Sequence, residues 1–222
     1  MIFDDVLELA KSVSHFTIAG EGNVSVRDGD AMLIKASGST LETMTDDDLV
    51  RCDLDGNAFE GEEKKPSMEV SFHAWILKTF PEINCVCHTH PTNTIKILCS
   101  GRTHDFTNKR LFPDQVVRNG TKSCVVPYAT PGAPLREEIK KSVEEFIGRN
   151  GFFPKLILLN NHGIITASAS VQEAVVSTLM CEKSAEIYIG AKLLNNIQFL
   201  TPEEVAAVDT NPNEKYRREL YK

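Results

Sequence analysis

Residues 155–168 read KLILLNNHGIITAS, two short apolar runs split by the polar tetrapeptide Asn160-Asn161-His162-Gly163. A membrane helix needs about 20 apolar residues, so runs this short cannot span a bilayer. Short runs rich in Ile and Leu, bounded by turn residues, are strands buried in a sheet. The stretch is therefore read as one strand or a strand pair. Its polar break is either a simple turn or the place where a buried strand end presents functional groups.

The same reasoning applies to Asn84-Cys85-Val86-Cys87-His88-Thr89-His90. On a strand, side chains alternate between faces. His88 and His90 then share a face with Val86, while Cys85, Cys87 and Thr89 point the other way. Cys-x-Cys and His-x-His therefore do not form one four-ligand site. The cysteines pack as small apolar residues in the core. The two imidazoles stand about 7 Å apart at Cα from the rise of a strand, a workable bite for a metal. They also fit a blander role, as polar residues closing a strand before Pro91. Two ligands do not make a site; His162 supplies a third neutral imidazole, the pattern of a catalytic zinc centre with one open position. His15, His73 and His104 have no partner pattern and are read as structural.

The other elements follow from periodicity and punctuation. Helical spacing marks Asp5–Phe16, and strands flank the turn Asp28-Gly29-Asp30. A short helix, Asp46-Asp47-Asp48-Leu49-Val50, is capped by Thr45, and a hairpin turns at Asp55-Gly56. A helix begins after Pro66-Ser67, with Glu69 in its first turn. Another runs from Pro134 to a stop at Gly151, a long one spans 171–196, and a short one is capped by Thr201. Helices mixed with hairpins predict an α/β (α+β) sandwich, a central mostly antiparallel sheet flanked by helices. One domain over 1–222 is expected, with a C-terminal tail from about 197.

Composition narrows the function classes. A net charge of −7 and a pI near 5.4 argue against a general nucleic-acid binder. No stretch reads as a signal peptide or membrane span, so the six cysteines are read as reduced cytoplasmic thiols. Glu69 has two readings. An acidic residue near a helix start is favoured by the helix dipole. A carboxylate beside a metal is a proton base for the carbon next to a carbonyl.

Taken in order, Gly20–Arg27 (GEGNVSVR), Ala36–Gly38 (ASG), Lys65–His73 (KPSMEVSFH), His88–Pro91 (HTHP), Pro127–Gly132 (PYATPG) and Asn160–Gly163 (NNHG) resemble the class II aldolase/adducin head family. The resemblance covers about residues 5–195. It implies a zinc-dependent sugar or sugar-phosphate aldolase, a homotetramer with sites at subunit boundaries. It implies His88, His90 and His162 as metal ligands and Glu69 as the acid–base group. It places the polar or phosphate end of a small sugar near Asn23, Ser25, Ser37, Gly38 and Ser67. Gly-rich turns beside a helix N-terminus are good anion cradles in their own right. A tight turn at Gly22-Asn23 feeding a strand is compatible with that role.

Three departures from the family pattern bear on function. Ser67-Met68 stands where phosphate aldolases carry Ser-Ser. The segment Arg110–Gly120 has no tyrosine to serve as an acid from a neighbouring subunit; Asp114, on a segment expected to project from the sheet, is the nearest ionisable group. The tail is atypical, with Tyr216 and Tyr221 as further candidates. Epimerase, dehydratase and decarboxylase activities of the same family stay open, as does a non-catalytic interaction module.

Overall fold

The computed structural model describes residues 2–220. Seven strands form one sheet in the order β3-β2-β1-β4-β7-β6-β5. They are β1 (Asn23–Asp28), β2 (Ala31–Lys35), β3 (Leu49–Asp53), β4 (Cys85–Thr89), β5 (Cys124–Val126), β6 (Leu156–Leu159) and β7 (Gly163–Ser168). Every neighbouring pair is antiparallel except β5 and β6. The helices are α1 (Ile2–Val13), α2 (Val70–Thr79), α3 (Thr92–Cys99), α4 (His104–Asn108), α5 (Pro113–Asn119), α6 (Ala133–Asn150), α7 (Val171–Leu193), α8 (Pro202–Thr210) and α9 (Pro212–Glu219). None is long and apolar enough to cross a membrane.

Strand alternation sorts the core into layers. Val86, Ile157, Leu159, Ile165 and Ala167 face α2 and α6, packing on Phe72, Ile76, Ile139 and Phe146. Cys85 and Cys87 face the other way, among Val6 and Leu9 of α1 and Ala174 of α7. Leu156, Leu158 and Ile164 continue that second face beneath α3 and α7. The result is a helix–sheet–helix sandwich of the predicted class. The helix ends follow local chemistry. Gly151 closes α6 in the left-handed conformation, the Ser170 hydroxyl accepts the Glu173 N–H to start α7, and Thr201 with Glu204 forms a capping box on α8.

Several elements differ from expectation. Residues 46–48 make only one 3-10 turn, because Leu49 and Val50 pair with β2 as part of β3. The hairpin at Asp55-Gly56 shrinks to the single bridge Cys52↔Ala58, since the Asp53 carboxylate takes the N–H groups of Asp55 and Asn57. Glu69 precedes the first turn of α2, at the N-cap position, and its side chain makes no cap. The segment carrying Asp114 does not project: α5 packs on α7 through buried Val116, Val117 and Asn119, whose amide donates to the Ser177 carbonyl. From residue 197 onward, α8 and α9 lie against α5, and Arg217 pairs with Asp114 at 3.0 Å. Tyr216 is exposed, and Tyr221 lies outside the described residues.

Candidate metal centre and ligand cavity

Antiparallel pairing of β4 with β7, Thr89 opposite Ile164, brings the end of β4 beside the start of β7. The chain turns from β6 to β7 through Asn160-Asn161-His162, with Asn161 at φ 56°. Asparagine tolerates this left-handed conformation, and the three-residue turn sets His162 at the end of the sheet. His88 and His90 arrive there from β4. Their ligand atoms and that of His162 all lie within 4.8 Å of one another. The approach requires a glycine at 163: a Cβ there would sit 2.5 Å from the Thr89 carbonyl oxygen and 2.7 Å from the His90 ring. Gly22, at φ 68°, is as constrained, because a Cβ would meet the His88 carbonyl oxygen at 2.9 Å.

The hydrogen bonds determine where lone pairs point. His88 Nδ1 lies 2.8 Å from the Ile164 carbonyl oxygen, which only accepts, so Nδ1 carries the proton and Nε2 is bare. That bare Nε2 is 3.0 Å from His90 Nε2 and 3.3 Å from Glu69 Oε2. His162 Nε2 is 3.5 Å from Glu69 Oε1, an oxygen that is buried and has no hydrogen-bond partner. Lone pairs of nitrogen and oxygen facing each other at these distances repel unless a positive charge sits among them. The donor set of three imidazoles and one carboxylate fits a divalent cation. A ligating histidine normally gives its other N–H to a carbonyl or carboxylate. His88 does this with Ile164, and His90 Nδ1 lies 3.5 Å from Glu21 Oε2.

Electrostatics agree with that donor set. Burial pushes His88, His90 and His162 below the ordinary histidine range, so the rings are neutral and able to ligate near pH 7. Burial alone would raise Glu69, but attraction to His88 and His162 when those rings are protonated, together with the Asn23 hydrogen bond, overbalances it and holds the carboxyl below its usual range.

A cavity of about 250 Å³ opens beside this cluster, lined by Asn23, Lys35, Ser37, Gly38, Ser67 and Glu69 among others. Its rim forms because the strand end continues as a bridge: Ser37 N–H donates to the Lys65 carbonyl, and Ser67 N–H to that of Lys35. Larger grooves lie between α3, α4 and α7 and beneath α8, and neither is lined by His88, His90 or His162. Asn23, Ser37, Gly38, Ser67 and Glu69 thus meet at one cavity with the imidazoles, and Asp114 is not among its walls. Ser25 needs correction. It is fully buried, off the cavity wall, and hydrogen-bonded to His73. Along β1 it points to the same face as Asn23 but one step further from the strand end, beneath α2.

Two residues escaped the sequence reading. His73 is not an isolated structural histidine: it bonds both Ser25 and Asn23, and burial drives it down to about 3. Its spacing of four from Glu69 was the available signal, since a helix begun after Pro66-Ser67 would carry both on one face. Lys35, buried at the end of β2, donates to the carbonyls of Gly20, Ala36 and Ser39, and burial lowers its pKa despite Asp48 and Glu69. A lysine closing the apolar run Met32-Leu33-Ile34 was its mark.

The chain is similar to known proteins in sequence and fold. The profile of the Class II Aldolase and Adducin N-terminal domain matches residues 7–189. An L-fuculose phosphate aldolase of Haemophilus influenzae is 32% identical over 212 residues, 93% of this chain and 89% of that one. A 3-oxo-tetronate 4-phosphate decarboxylase of the same species is 29% identical over 191 residues, 86% of each chain. The solved structure of an L-fuculose 1-phosphate aldolase superposes with a TM-score of 0.81 at 25% identity, over 97% of this chain and 96% of that one. With a matched region that runs from the middle of α1 through most of α7 and includes every residue of the imidazole cluster, the chain belongs to the class II aldolase and adducin N-terminal domain family.

Proposed function

We propose that the protein is a zinc-dependent lyase that cleaves a ketose or ketose 1-phosphate by a retro-aldol reaction. The products would be dihydroxyacetone, or its phosphate, and an aldehyde. The observation that carries this reading is the meeting of three neutral imidazoles and a buried carboxylate, with one partnerless oxygen, at the wall of a small polar cavity. Zinc held by His88, His90 and His162 would supply Lewis acidity at the substrate carbonyl. Glu69 Oε1 moves the proton at the carbon next to that carbonyl. Asn23, Ser37, Gly38 and Ser67 bind the polar or phosphate end. Met68 adds no hydroxyl, and its side chain is largely exposed at the lip. Burial of Glu69 and His88 keeps bulk water from protonating the carbon first.

Loss of carbon dioxide from a keto sugar acid phosphate is the second reading, favoured by the decarboxylase relative. Both reactions leave an electron pair on a carbon beside a carbonyl, so one site serves either. A panel of ketoses, ketose phosphates and keto sugar acid phosphates, offered to zinc-loaded protein, separates them by release of aldehyde or carbon dioxide. No turnover of any member would overturn both readings. Elemental analysis after zinc dialysis tests the ligand set: one zinc per chain is the expected result, lost in His90→Ala.

The departing aldehyde needs a second proton-transfer group. In the cavity, Glu21 is engaged with the Ile18 N–H and His90, and Lys35 with three carbonyls. The family resemblance implies a homotetramer in which a neighbouring copy supplies this group; no tyrosine stands in that segment here, so we assign the role to its nearest ionisable residue, Asp114, which would have to leave Arg217. Mixing inactive Glu69→Gln and Asp114→Asn chains should restore activity on subunit exchange. Continued inactivity despite exchange removes Asp114 from the mechanism.

A further inference from the structure

Asn23 stands between His73 and Glu69, and only one orientation of its amide satisfies both neighbours. The Glu69 carboxylate only accepts hydrogen bonds, so the group 2.8 Å from Oε2 is the amide nitrogen. The amide oxygen then faces His73 Nε2 at 2.5 Å, which requires the proton on Nε2. Complete burial disfavours the doubly protonated ring, leaving Nδ1 bare. Ser25, 2.7 Å away, fills that lone pair with its hydroxyl hydrogen. Each link has one direction: Ser25 donates to His73, His73 to Asn23, and Asn23 to Glu69.

We propose that Ser25, His73 and Asn23 form a directional relay that fixes the proposed base. The relay commits Oε2 of Glu69 to Asn23 and leaves Oε1, which accepts no hydrogen bond and faces His162 Nε2 at 3.5 Å, as the oxygen to take a proton once substrate is bound. His73 and Ser25 are positioning residues that touch no substrate. His73 lies in the first turn of α2 and Glu69 is the N-cap of that helix, so the middle of the relay is anchored to the element that holds the base. If the histidine were inverted to its Nδ1–H form, the Asn23 oxygen would face a bare nitrogen. The amide would then turn, and its oxygen would meet the Glu69 carboxylate. The relay rests on the reading of Glu69 as the base, but its hydrogen-bond pattern can be read without any substrate.

The test uses full-length, zinc-loaded protein. Nitrogen-15 NMR of the histidine rings, with His73 assigned by its loss in His73→Leu, should show Nε2–H and a bare Nδ1. An Nδ1–H ring overturns the relay. In His73→Leu, zinc content and KM should hold while kcat falls about tenfold or more, part of the 10²–10⁴ that a placed base supplies. His73→Gln puts an amide N–H near the Nε2 position and should recover most of that loss. An unchanged kcat in folded, loaded His73→Leu overturns the proposal. Should His73→Leu fail to fold, Ser25→Ala replaces it: the Nε2–H ring should persist, because Asn23 alone requires it, while kcat falls several-fold at unchanged zinc content, and an unchanged kcat counts against the relay. If Glu69→Gln turns over normally, or no substrate is found, the functional reading fails by itself. The ring tautomer and the exchange protection of the Asn23 side-chain N–H groups still decide the relay.

Discussion

At the scale of residues, the carboxylate of Glu69 and the bare Cα of Gly163 make opposite demands on mutation. Glu69→Gln keeps an oxygen for the Asn23 amide to donate to but loses basicity. Turnover should fall about 10²-fold, the scale of a lost general base, with little change in thermal midpoint. Normal turnover would return Glu69 to a structural role. Gly163→Ala should do the reverse, acting through shape. Its methyl has no room beside the Thr89 carbonyl and the His90 ring, so β7 must shift against β4. Overpacking of this kind costs about 1–3 kcal/mol. Zinc stoichiometry should fall with stability, and full zinc content in the variant would show that the turn can relax. The imidazoles were legible in the sequence because two independent patterns pointed to them: strand alternation for His88 and His90, and a polar break in an apolar run for His162. His73 and Lys35 were not, because what they bond is set by the fold. Asn23 and His73 are 50 positions apart, and nothing local to either names the other. Ser25 was misread for the same reason. A motif groups it with Asn23, and only the packing of α2 over β1 shows which of the two meets the cavity.

At the scale of elements, α3 depends on α7 for its start. Pro91 offers no side-chain cap, and the N–H groups of Asn93 and Thr94 donate instead to Glu182 of α7, with the Thr94 hydroxyl as a third bond. Those bonds hold the corner next to His90. Glu182→Ala should leave buried donors unmatched at about 1–3 kcal/mol, or a fall of roughly 2–12 °C in thermal midpoint for a chain of this size. Calorimetry reads it directly, and an unchanged midpoint would mean that water takes over the cap. Element boundaries were legible wherever a side chain acted on its own neighbours, as Thr201 does on Glu204. They were lost where a distant strand competed. Leu49 and Val50 look helical beside three aspartates, yet β2 offers them a ladder. The α5 segment looked free because its sequence does not reveal the α7 groove it fills.

Across the whole molecule, the cysteines record how tightly the layers close. Cys52, Cys85, Cys87, Cys124 and Cys181 are buried and Cys99 is exposed, all six as free thiols. Burial pushes each of the five buried thiols up to about 12, against an ordinary value of 9.0. Between those values the unfolded chain has lost thiol protons that the folded chain keeps. Stability should therefore fall as pH rises from about 9 toward 12, the sign that proton linkage requires. A thiol reagent should find one reactive cysteine in the native protein and six after unfolding. More than one fast thiol before unfolding would mean that a layer opens readily. The order of the strands has a consequence in time as well as in space. Asn23 meets Glu69 across 46 positions, and His88 meets Ile164 across 76. Closures of that length come late in folding, because chain entropy opposes them until much else is in place. A cation arriving early would find scattered imidazoles and no cage. Any ion bound there locks a finished chain against unfolding and gives the nascent chain no help in finding its shape.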